Sequence, residues 1–241
     1  MTTLELLQKT RAAMGSIAAA GAEKKNALLL AMADSLEARC AEILAANAED
    51  MAAARGRITD VMLDRLKLDE NRITGMANGI RDTVRLPDHT GRVLSEVVRP
   101  NGIIIDKVQV PLGLVAIIYE SRPNVTSDAA ALCVKAGNAV ILRGGKEAIR
   151  ANMAIVAALR QGLSAGGLPS DTVQLIEDTA RETALALMKL GCILIPATAQ
   201  LAKKDIVYRC EAASIKAVIT VYLDEVCQHV EAARPECSTL E

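Results

Sequence analysis

Residues 111–148, PLGLVAIIYESRPNVTSDAAALCVKAGNAVILRGGKEA, decide the fold. Leu114–Tyr119 and Ala139–Leu142 are continuous apolar runs, which are typical of strands buried on both faces. The segment between them, Thr126–Ala136, is predicted to be a helix. A strand, a helix and a second strand in this order indicate a parallel sheet, in which ligands bind at the carboxyl ends of the strands.

The same alternation continues toward the C-terminus. A helix is predicted over Lys146–Leu163 and a third strand over Thr172–Ile176. A further helix is predicted over Arg181–Leu190, and a fourth strand over Cys192–Ile195. The sequence therefore predicts an α/β fold with a doubly wound parallel sheet.

The residues before this alternation have a different pattern. Residues 2–55 are predicted to form one helix and residues 59–85 another, because apolar residues recur at spacings of three or four from Leu29 in the first stretch and from Met62 in the second. Residues 93–110 contain two runs rich in β-branched side chains, separated by Asn101-Gly102. An Asn-Gly pair between two such runs favours a β-hairpin.

Composition limits the classes of function. Basic and acidic residues number 28 and 29, and this balance gives no reason to expect a nucleic acid or an anionic membrane as partner. The chain has three Tyr and neither Phe nor Trp, which argues against a platform for stacking bases. The N-terminus lacks an apolar signal core and no run of about 18 apolar residues is present, so we expect a cytoplasmic protein.

The cysteines and histidines do not indicate a metal site. None of the six cysteines forms a C-x-x-C pair, and we expect free thiols in a reducing compartment. The two histidines, His89 and His229, have no partner at ligand spacing and are interpreted as surface residues.

The loop after the first buried strand, Glu120–Thr126, carries the first candidate site. Arg122 offers a fixed positive charge to a phosphate or a carboxylate. The side-chain amide of Asn124 could donate to a developing oxyanion. An alternative interpretation is a helix cap, in which Asn124 or Thr126 satisfies free backbone amides.

The loop after the second strand carries the second candidate site. Gly144 and Gly145 would let the backbone approach a ligand closely, and the following helix would offer its positive end to a phosphate. Arg143 and Lys146 add the charge that the 2′-phosphate of NADP requires. Neither of the common glycine-rich nucleotide motifs is present, so an ordinary strand-to-helix turn with solvated charges is the alternative.

Together, ESRPNVT at 120–126 and GNAVILRGGKEA at 137–148 resemble the signature stretch of gamma-glutamyl phosphate reductases, members of the aldehyde dehydrogenase superfamily. The flanking LDRLKLDENRI, RLPDHTGRVLSEVVRPNGIIIDKVQVPLG and GLPSDTVQLIEDTARE are similar to the same family. The resemblance covers about residues 2–190, and the remainder departs from it.

The resemblance implies a fold and a division of the chain. The expected fold is aldehyde-dehydrogenase-like, with N-terminal helices, and truncated relative to the family. Residues 1–190 would form a cofactor-binding, Rossmann-like domain, whose hairpin at about 93–110 is of the type used for oligomerisation. Residues 191–241 would form a divergent C-terminal segment and an incomplete catalytic domain.

The resemblance also implies a reaction. Members of the family reduce the small molecule L-glutamyl 5-phosphate to L-glutamate 5-semialdehyde with NADPH and release phosphate, in L-proline biosynthesis. Asn124 matches the family's oxyanion-holding asparagine. Arg122 is expected to bind the substrate on the ground of its positive charge alone. The loop Arg143–Lys146 matches the loop that meets the adenosine-ribose end of NADP(H). A homo-oligomer is a possible assembly.

The nucleophile is harder to place, because the family's cysteine lies in an RPSVCNA-like segment. Arg234, Pro235 and Cys237 echo that segment near the C-terminus, with one residue fewer between Pro and Cys. In one interpretation Cys237 is the nucleophile, and in the other it is a chance cysteine in a tail that no longer follows the family. Pro196 is retained, but Ala-Thr-Ala follows it where the family has Arg-Gly-Gly. The alternative function is an inactive remnant that at most binds NADP(H).

Overall fold

The computed structural model describes residues 2–180, 182–183, 187 and 193–196. The helices are α1 (Thr3–Ala18), α2 (Ala22–Ala38), α3 (Cys40–Ala54), α4 (Asp60–Leu66), α5 (Glu70–Val84), α6 (Pro123–Lys135) and α7 (Ile149–Ala165). The strands are β1 (Val93–Val98), β2 (Ile104–Val108), β3 (Leu114–Ile118), β4 (Ala139–Arg143), β5 (Val173–Leu175) and β6 (Ile193–Pro196). None of the helices in the described part of the chain is long and apolar enough to span a bilayer.

The first fifty-odd residues form three helices, so the prediction of one continuous helix over 2–55 is wrong. Helix α1 begins with a capping box, in which Thr2 and Glu5 each satisfy the other's backbone N–H. Gly21 has extended backbone (φ −69°, ψ 168°) and forms the N-cap of α2. Arg39, with φ −105° and ψ 21°, separates α2 from α3. Apolar periodicity continues across these breaks, and it does not show where the backbone leaves the helix.

Residues 59–85 likewise form two helices, α4 and α5, rather than the single one predicted. Thr59 caps α4 through its hydroxyl group. Asp69 caps α5, because its carboxylate accepts a 2.8 Å hydrogen bond from the backbone N–H of Arg72. Both capping residues have extended backbone, which ends any helix that precedes them.

The turn between α4 and α5 is held by a buried side chain of α3. The amide of Asn47 donates to the carbonyl oxygen of Leu66 at 2.9 Å, and its oxygen accepts from the backbone N–H of Leu68 at 2.7 Å. Asn47 is 2% exposed, so these bonds satisfy backbone groups that water does not reach. The turn is therefore fixed relative to the rest of the domain.

The main sheet has four parallel strands in the order β5-β4-β3-β6. This confirms the four predicted strands and the parallel sheet. Because β6 pairs with β3 and not with β5, the order of the strands reverses between β3 and β6. In such sheets the carboxyl ends of the strands at the reversal form a crevice where ligands bind. Most of the helix predicted over 181–190 lies outside the described residues.

Apolar side chains cover both faces of the sheet, which confirms the doubly wound fold. On one face, alternate residues of β3 and β4 join the main core with α2, α5, α6 and α7: Val115, Ile117, Val140 and Leu142. On the other face, Ala116 and Ile141 pack with Leu6 and Leu7 of α1. The continuous apolar runs of the sequence follow from burial on both faces.

The predicted hairpin is confirmed, with β1 and β2 antiparallel and Asn101-Gly102 in the turn. Gly102 has a positive φ of 82°, a conformation that favours glycine. Every residue of both strands is exposed. The hairpin therefore projects from the domain and contributes little to its core.

Candidate functional site

The two predicted loops lie side by side at the carboxyl ends of β3 and β4. The backbone N–H of Tyr119 donates to the carbonyl oxygen of Arg143 at 3.0 Å. The hydroxyl group of Ser121 donates to the carboxylate of Glu147. The structure thus joins the segment containing Arg122 and Asn124 to the segment Arg143–Lys146 at one edge of the sheet.

Packing between the two loops accounts for both glycines. A Cβ on Gly144 would lie 2.3 Å from Nδ2 of Asn152 and 3.2 Å from the ring of Tyr119. A Cβ on Gly145 would lie 2.0 Å from Oγ of Ser121 and 2.9 Å from its backbone nitrogen. Protein atoms occupy the space that a side chain would need at either position. Glycine is required here by contact between the loops, whether or not a ligand also approaches.

A buried polar chain fixes α6 against the sheet. The hydroxyl groups of Tyr119 and Thr126 are hydrogen-bonded at 2.7 Å, and Thr126 donates to Oδ1 of Asn152 on α7 at 2.8 Å. Burial raises the pKa of Tyr119 above its usual range, so the phenol stays neutral. The three side chains link β3, α6 and α7, and they hold the start of α6 in place.

Helix α6 begins at Pro123, three residues before the predicted start, which places Asn124 in the first turn. Arg122 occupies the N-cap position and no side chain caps the helix. The interpretation of Asn124 or Thr126 as the cap is therefore wrong. Pro123 explains the early start, because its fixed φ and missing N–H suit the first position of a helix. Asn124 is exposed, its carbonyl oxygen accepts from the Ser127 hydroxyl group, and its side-chain amide interacts with the carboxylate of Asp128.

Arg122 and Asn124 line a cleft of about 560 Å³ between the α4–α5 region and the start of α6, which we call the α5–α6 cleft. Its other charged lining residues were not singled out from the sequence, although most lie within the quoted LDRLKLDENRI stretch: Asp64, Arg65, Lys67, Arg72 and Asp128. The high density of charged residues in that stretch was the feature of the sequence that could have indicated a binding surface. Nothing in the local sequence shows that the stretch lies opposite Asn124.

The cations of the cleft are engaged to different degrees. Arg72 stabilises the local structure, since its guanidinium group pairs with the carboxylate of Asp64 at 3.0 Å and donates to the carbonyl oxygen of Lys67 at 2.6 Å. Arg122 has a distant partner, with 3.8 Å between its Nε and the carboxylate of Glu120. Arg65 and Lys67 form no ion pair with any acid that the structure describes. These last three side chains can respond to an anion.

Asp128 lies one turn after Asn124 on α6 and also lines the cleft. Its side chain is open to the cleft, yet desolvation by the surrounding protein raises its pKa. Interactions with the Asn124 amide and the Ser127 hydroxyl oppose that effect but do not cancel it. The cleft therefore holds an acid among its cations, and no basic partner for Asp128 occurs among the described residues.

In the predicted cofactor loop, one cation is hydrogen-bonded within the fold and the other is exposed. Nη2 of Arg143 donates to the carbonyl oxygens of Thr179 at 2.8 Å and Ala180 at 3.4 Å, so this guanidinium group holds the segment after β5. Lys146 is exposed at the start of the short 3-10 turn that leads into α7. It forms no ion pair within the part of the chain that the structure describes. The predicted nucleophile Cys237 lies outside the described residues, as does His229.

Comparisons with known proteins agree on one family. No protein-family model matches the chain. A gamma-glutamyl phosphate reductase of Streptococcus pneumoniae is 55% identical over 185 residues, which are 77% of this chain and 44% of that protein. The solved gamma-glutamyl phosphate reductase of Thermotoga maritima matches 88% of this chain and 52% of its own, at 35% identity and a TM-score of 0.83. The chain thus spans about half the length of the relatives it matches.

Two further structures extend the likeness. The gamma-glutamyl phosphate reductase of Saccharomyces cerevisiae matches 89% of this chain and 55% of its own, at 27% identity and a TM-score of 0.75. An NAD-dependent benzaldehyde dehydrogenase of Corynebacterium glutamicum matches 88% and 44% of the two chains, at 15% identity and a TM-score of 0.66. At that identity the likeness shows the fold alone, which is that of aldehyde dehydrogenases.

Proposed function

We propose, on the premise that this chain is a relative of the gamma-glutamyl phosphate reductases, that it serves the reduction of L-glutamyl 5-phosphate to L-glutamate 5-semialdehyde with NADPH and release of phosphate. The observation that carries the proposal is the position of Asn124 and Arg122, which share one cleft beside the loop Arg143–Lys146. The protein would be a cytoplasmic oxidoreductase of L-proline biosynthesis, acting on a small molecule.

The residues of the cleft suit the acyl-phosphate end of that substrate. The Asn124 amide would donate to the oxygen that becomes negative when a nucleophile attacks the acyl carbon, a contribution of about 3–4 kcal/mol in comparable sites. Arg122 would bind the phosphate through charge-assisted hydrogen bonds and favour its departure. A cysteine thiolate would form a thioester as phosphate leaves, and we propose Cys237 for that role.

The residues of the second loop suit NADP(H). The free ammonium group of Lys146 lies at the start of the 3-10 turn before α7 and could bind a phosphate. The backbone N–H groups of Arg150 and Ala151 at the start of α7 already donate to the carboxylate of Asp50, so the predicted binding of phosphate by the helix end is not supported. Bound NADPH would supply the hydride that reduces the thioester. Arg143 would hold the cofactor loop in place without contacting the cofactor's phosphate, since its guanidinium group already donates to the carbonyl oxygen of Thr179.

Turnover tests this proposal directly. We expect the purified chain to reduce NADP with L-glutamate 5-semialdehyde only when phosphate is present, and Asn124→Ala to lower kcat about 100- to 1000-fold. Cys237→Ser should abolish turnover, whereas substitution of the partly buried Cys40 by Ser should not, since burial raises the pKa of the Cys40 thiol and disfavours its thiolate.

Three outcomes would count against parts of the proposal. Unchanged activity of Cys237→Ser would remove Cys237 from the mechanism. Unchanged activity of Asn124→Ala would remove the oxyanion role. NADPH binding without any turnover, beside an active relative as control, would favour the alternative of a chain that only binds NADP(H).

We include a homo-oligomer in the proposal. The hairpin of β1 and β2 exposes apolar side chains on both faces, with Val98 63% exposed and its pairing partner Ile104 59% exposed. Exposed apolar strands with free edges are suited to pairing with another chain. A second copy of this protein would cover them.

A further inference from the structure

We propose that the α5–α6 cleft binds the amino-acid end of the substrate, with Asp128 taking its ammonium group and Arg65 and Lys67 taking its α-carboxylate. This inference rests on the proposed function for the identity of the substrate, a glutamyl group with an acyl phosphate at one end. It adds the residues that would select an α-amino acid over a simple acyl phosphate.

The spacing along α6 matches the length of a glutamyl group. Asn124 and Asp128 lie four residues apart on one helix, which separates them by roughly 6 Å along the axis. In a glutamyl group three carbon–carbon bonds of about 1.5 Å each separate the reacting carbonyl carbon from the carbon that bears the amino group. When Asn124 holds the carbonyl oxygen, the amino group comes within reach of Asp128.

The charges of the cleft fit a zwitterion better than a simple anion. A site built for phosphate or carboxylate alone gains nothing from an unpaired acid, yet Asp128, which forms no ion pair with a described base, lines the cleft together with Arg65 and Lys67. Protein surroundings already disfavour the ionised form of Asp128, and an ammonium ion beside it would relieve that cost. Arg65 and Lys67 are free of ion pairs with the described acids, so they can accept a carboxylate without breaking one.

The cleft is also kept open and rigid. Gly75 lies in the interior of α5 and lines the cleft, where a Cβ would meet no atom within 4 Å. Glycine inside a helix lowers its stability by about 1 kcal/mol relative to alanine. Helix α5 has this cost at a turn where a longer side chain would enter the cleft. Arg72 and Asn47 hold the turn that carries Lys67.

The test uses two stable probes and calorimetry on the full chain. The first is a phosphonomethyl ketone isostere of L-glutamyl 5-phosphate, and the second is the same molecule without its amino group. We expect Asp128→Asn to weaken the amino-bearing probe about 10- to 100-fold and to change the other less than about twofold. Equal weakening of both probes would mean that Asp128 only orients Asn124, and it would overturn the inference.

Variants at the other wall complete the test. Arg65→Gln/Lys67→Gln should weaken both probes, because both carry the carboxylate, whereas Arg55→Gln/Arg57→Gln on the exposed neighbouring turn should weaken neither. Gly75→Leu should block both probes by filling the cleft. Gly15→Leu, on an exposed and open position of α1, is its control. Unchanged binding in Gly75→Leu or in Arg65→Gln/Lys67→Gln would overturn the inference.

NADPH binding, measured on the same samples, separates this inference from the proposed function. Discrimination between the probes without NADPH binding would leave the cleft assignment standing while the reductase proposal fails. NADPH binding and turnover with no discrimination between the probes would leave the reductase proposal standing while the cleft assignment fails. Failure of the wild-type chain to bind the amino-bearing probe, with NADPH present, would overturn the cleft assignment.

Discussion

At the scale of the single residue, Lys146 and Arg143 show that position decides which cation of a loop remains available to a ligand. The ammonium group of Lys146 projects from the start of the segment leading into α7, beside the carboxyl end of β4. Arg143, which precedes it in the same loop, is drawn back onto the carbonyl oxygens of Thr179 and Ala180. The two cations looked equivalent in the sequence, but only Lys146 is free to meet a phosphate on a bound molecule.

We therefore expect Lys146→Gln to weaken NADPH binding about 10-fold and to leave NADH binding nearly unchanged, because only NADPH carries the 2′-phosphate. Titration followed by the fluorescence of the reduced cofactor measures both affinities. Lys107→Gln, an exposed lysine of the hairpin, should alter neither. Equal losses for the two cofactors would show that Lys146 does not contact the 2′-phosphate.

At the scale of elements, the hairpin differs in exposure from strands β3, β4 and β5 of the main sheet. Its residues are exposed on both faces, whereas β3, β4 and β5 of the main sheet are largely buried. Val98 and Ile104 pair across the hairpin and are among its most exposed apolar side chains. Such a surface is unusual on a monomer and is typical of strands that contact another subunit.

We expect Val98→Lys/Ile104→Glu to shift an oligomer of this chain to the monomer, because the two charges would have to be buried in the interface. Opposite charges across the hairpin keep its own strands paired. Sedimentation equilibrium over a range of concentrations measures the mass, with Val98→Ile/Ile104→Val as the conservative control. A wild-type chain that is monomeric at every concentration would rule out the oligomer.

At the scale of the whole molecule, a buried ion pair ties separate parts of the domain together. Lys25 on α2 lies 2.6 Å from the carboxylate of Asp88 and 3.1 Å from the hydroxyl group of Thr90, in the loop between α5 and the hairpin. The side chain of Lys25 is only 1% exposed. Nearby, Lys135 of α6 donates to the carbonyl oxygen of Val84 at the end of α5. These contacts join α2, α5, α6 and the base of the hairpin.

The pair makes stability depend on pH in a definite direction. Burial acts to raise the pKa of Asp88, but hydrogen bonds from Lys25 and Thr90 outweigh it and hold the pKa below its usual value. The unfolded chain therefore takes up the proton first as the pH falls. The stabilisation is complete above about pH 4 and is lost as the pH falls through the lower, folded pKa.

We expect Asp88→Asn to lower the free energy of unfolding at pH 7 by about 3–5 kcal/mol, because it leaves the Lys25 ammonium group buried without its counter-charge. Lys25→Met/Asp88→Asn should cost less and should also flatten the loss of stability below about pH 4. Urea unfolding at a series of pH values measures both effects. The same acid dependence in wild type and double variant would show that the pair does not set it.

Much of the fold could be predicted from the sequence, because the deciding signals are local. Leu114–Tyr119 and Ala139–Leu142 are apolar at every position, which only strands buried on both faces require, and Asn101-Gly102 marks its own turn. The motifs around Asn124 and Lys146 are contiguous, and they were sufficient to indicate the family and the two loops proposed for the site.

Only the tertiary structure decided where helices break and which charges share a site. The backbone at Leu66 and Leu68 is satisfied by Asn47 from another helix, and the space at Gly145 is taken by Ser121 from another loop. Arg65 of α4 and Asp128 of α6 likewise line one cleft although they are far apart in the sequence. Periodicity and motifs record how a residue relates to its neighbours in the chain, whereas these pairings arise from packing between distant segments, which no local pattern encodes.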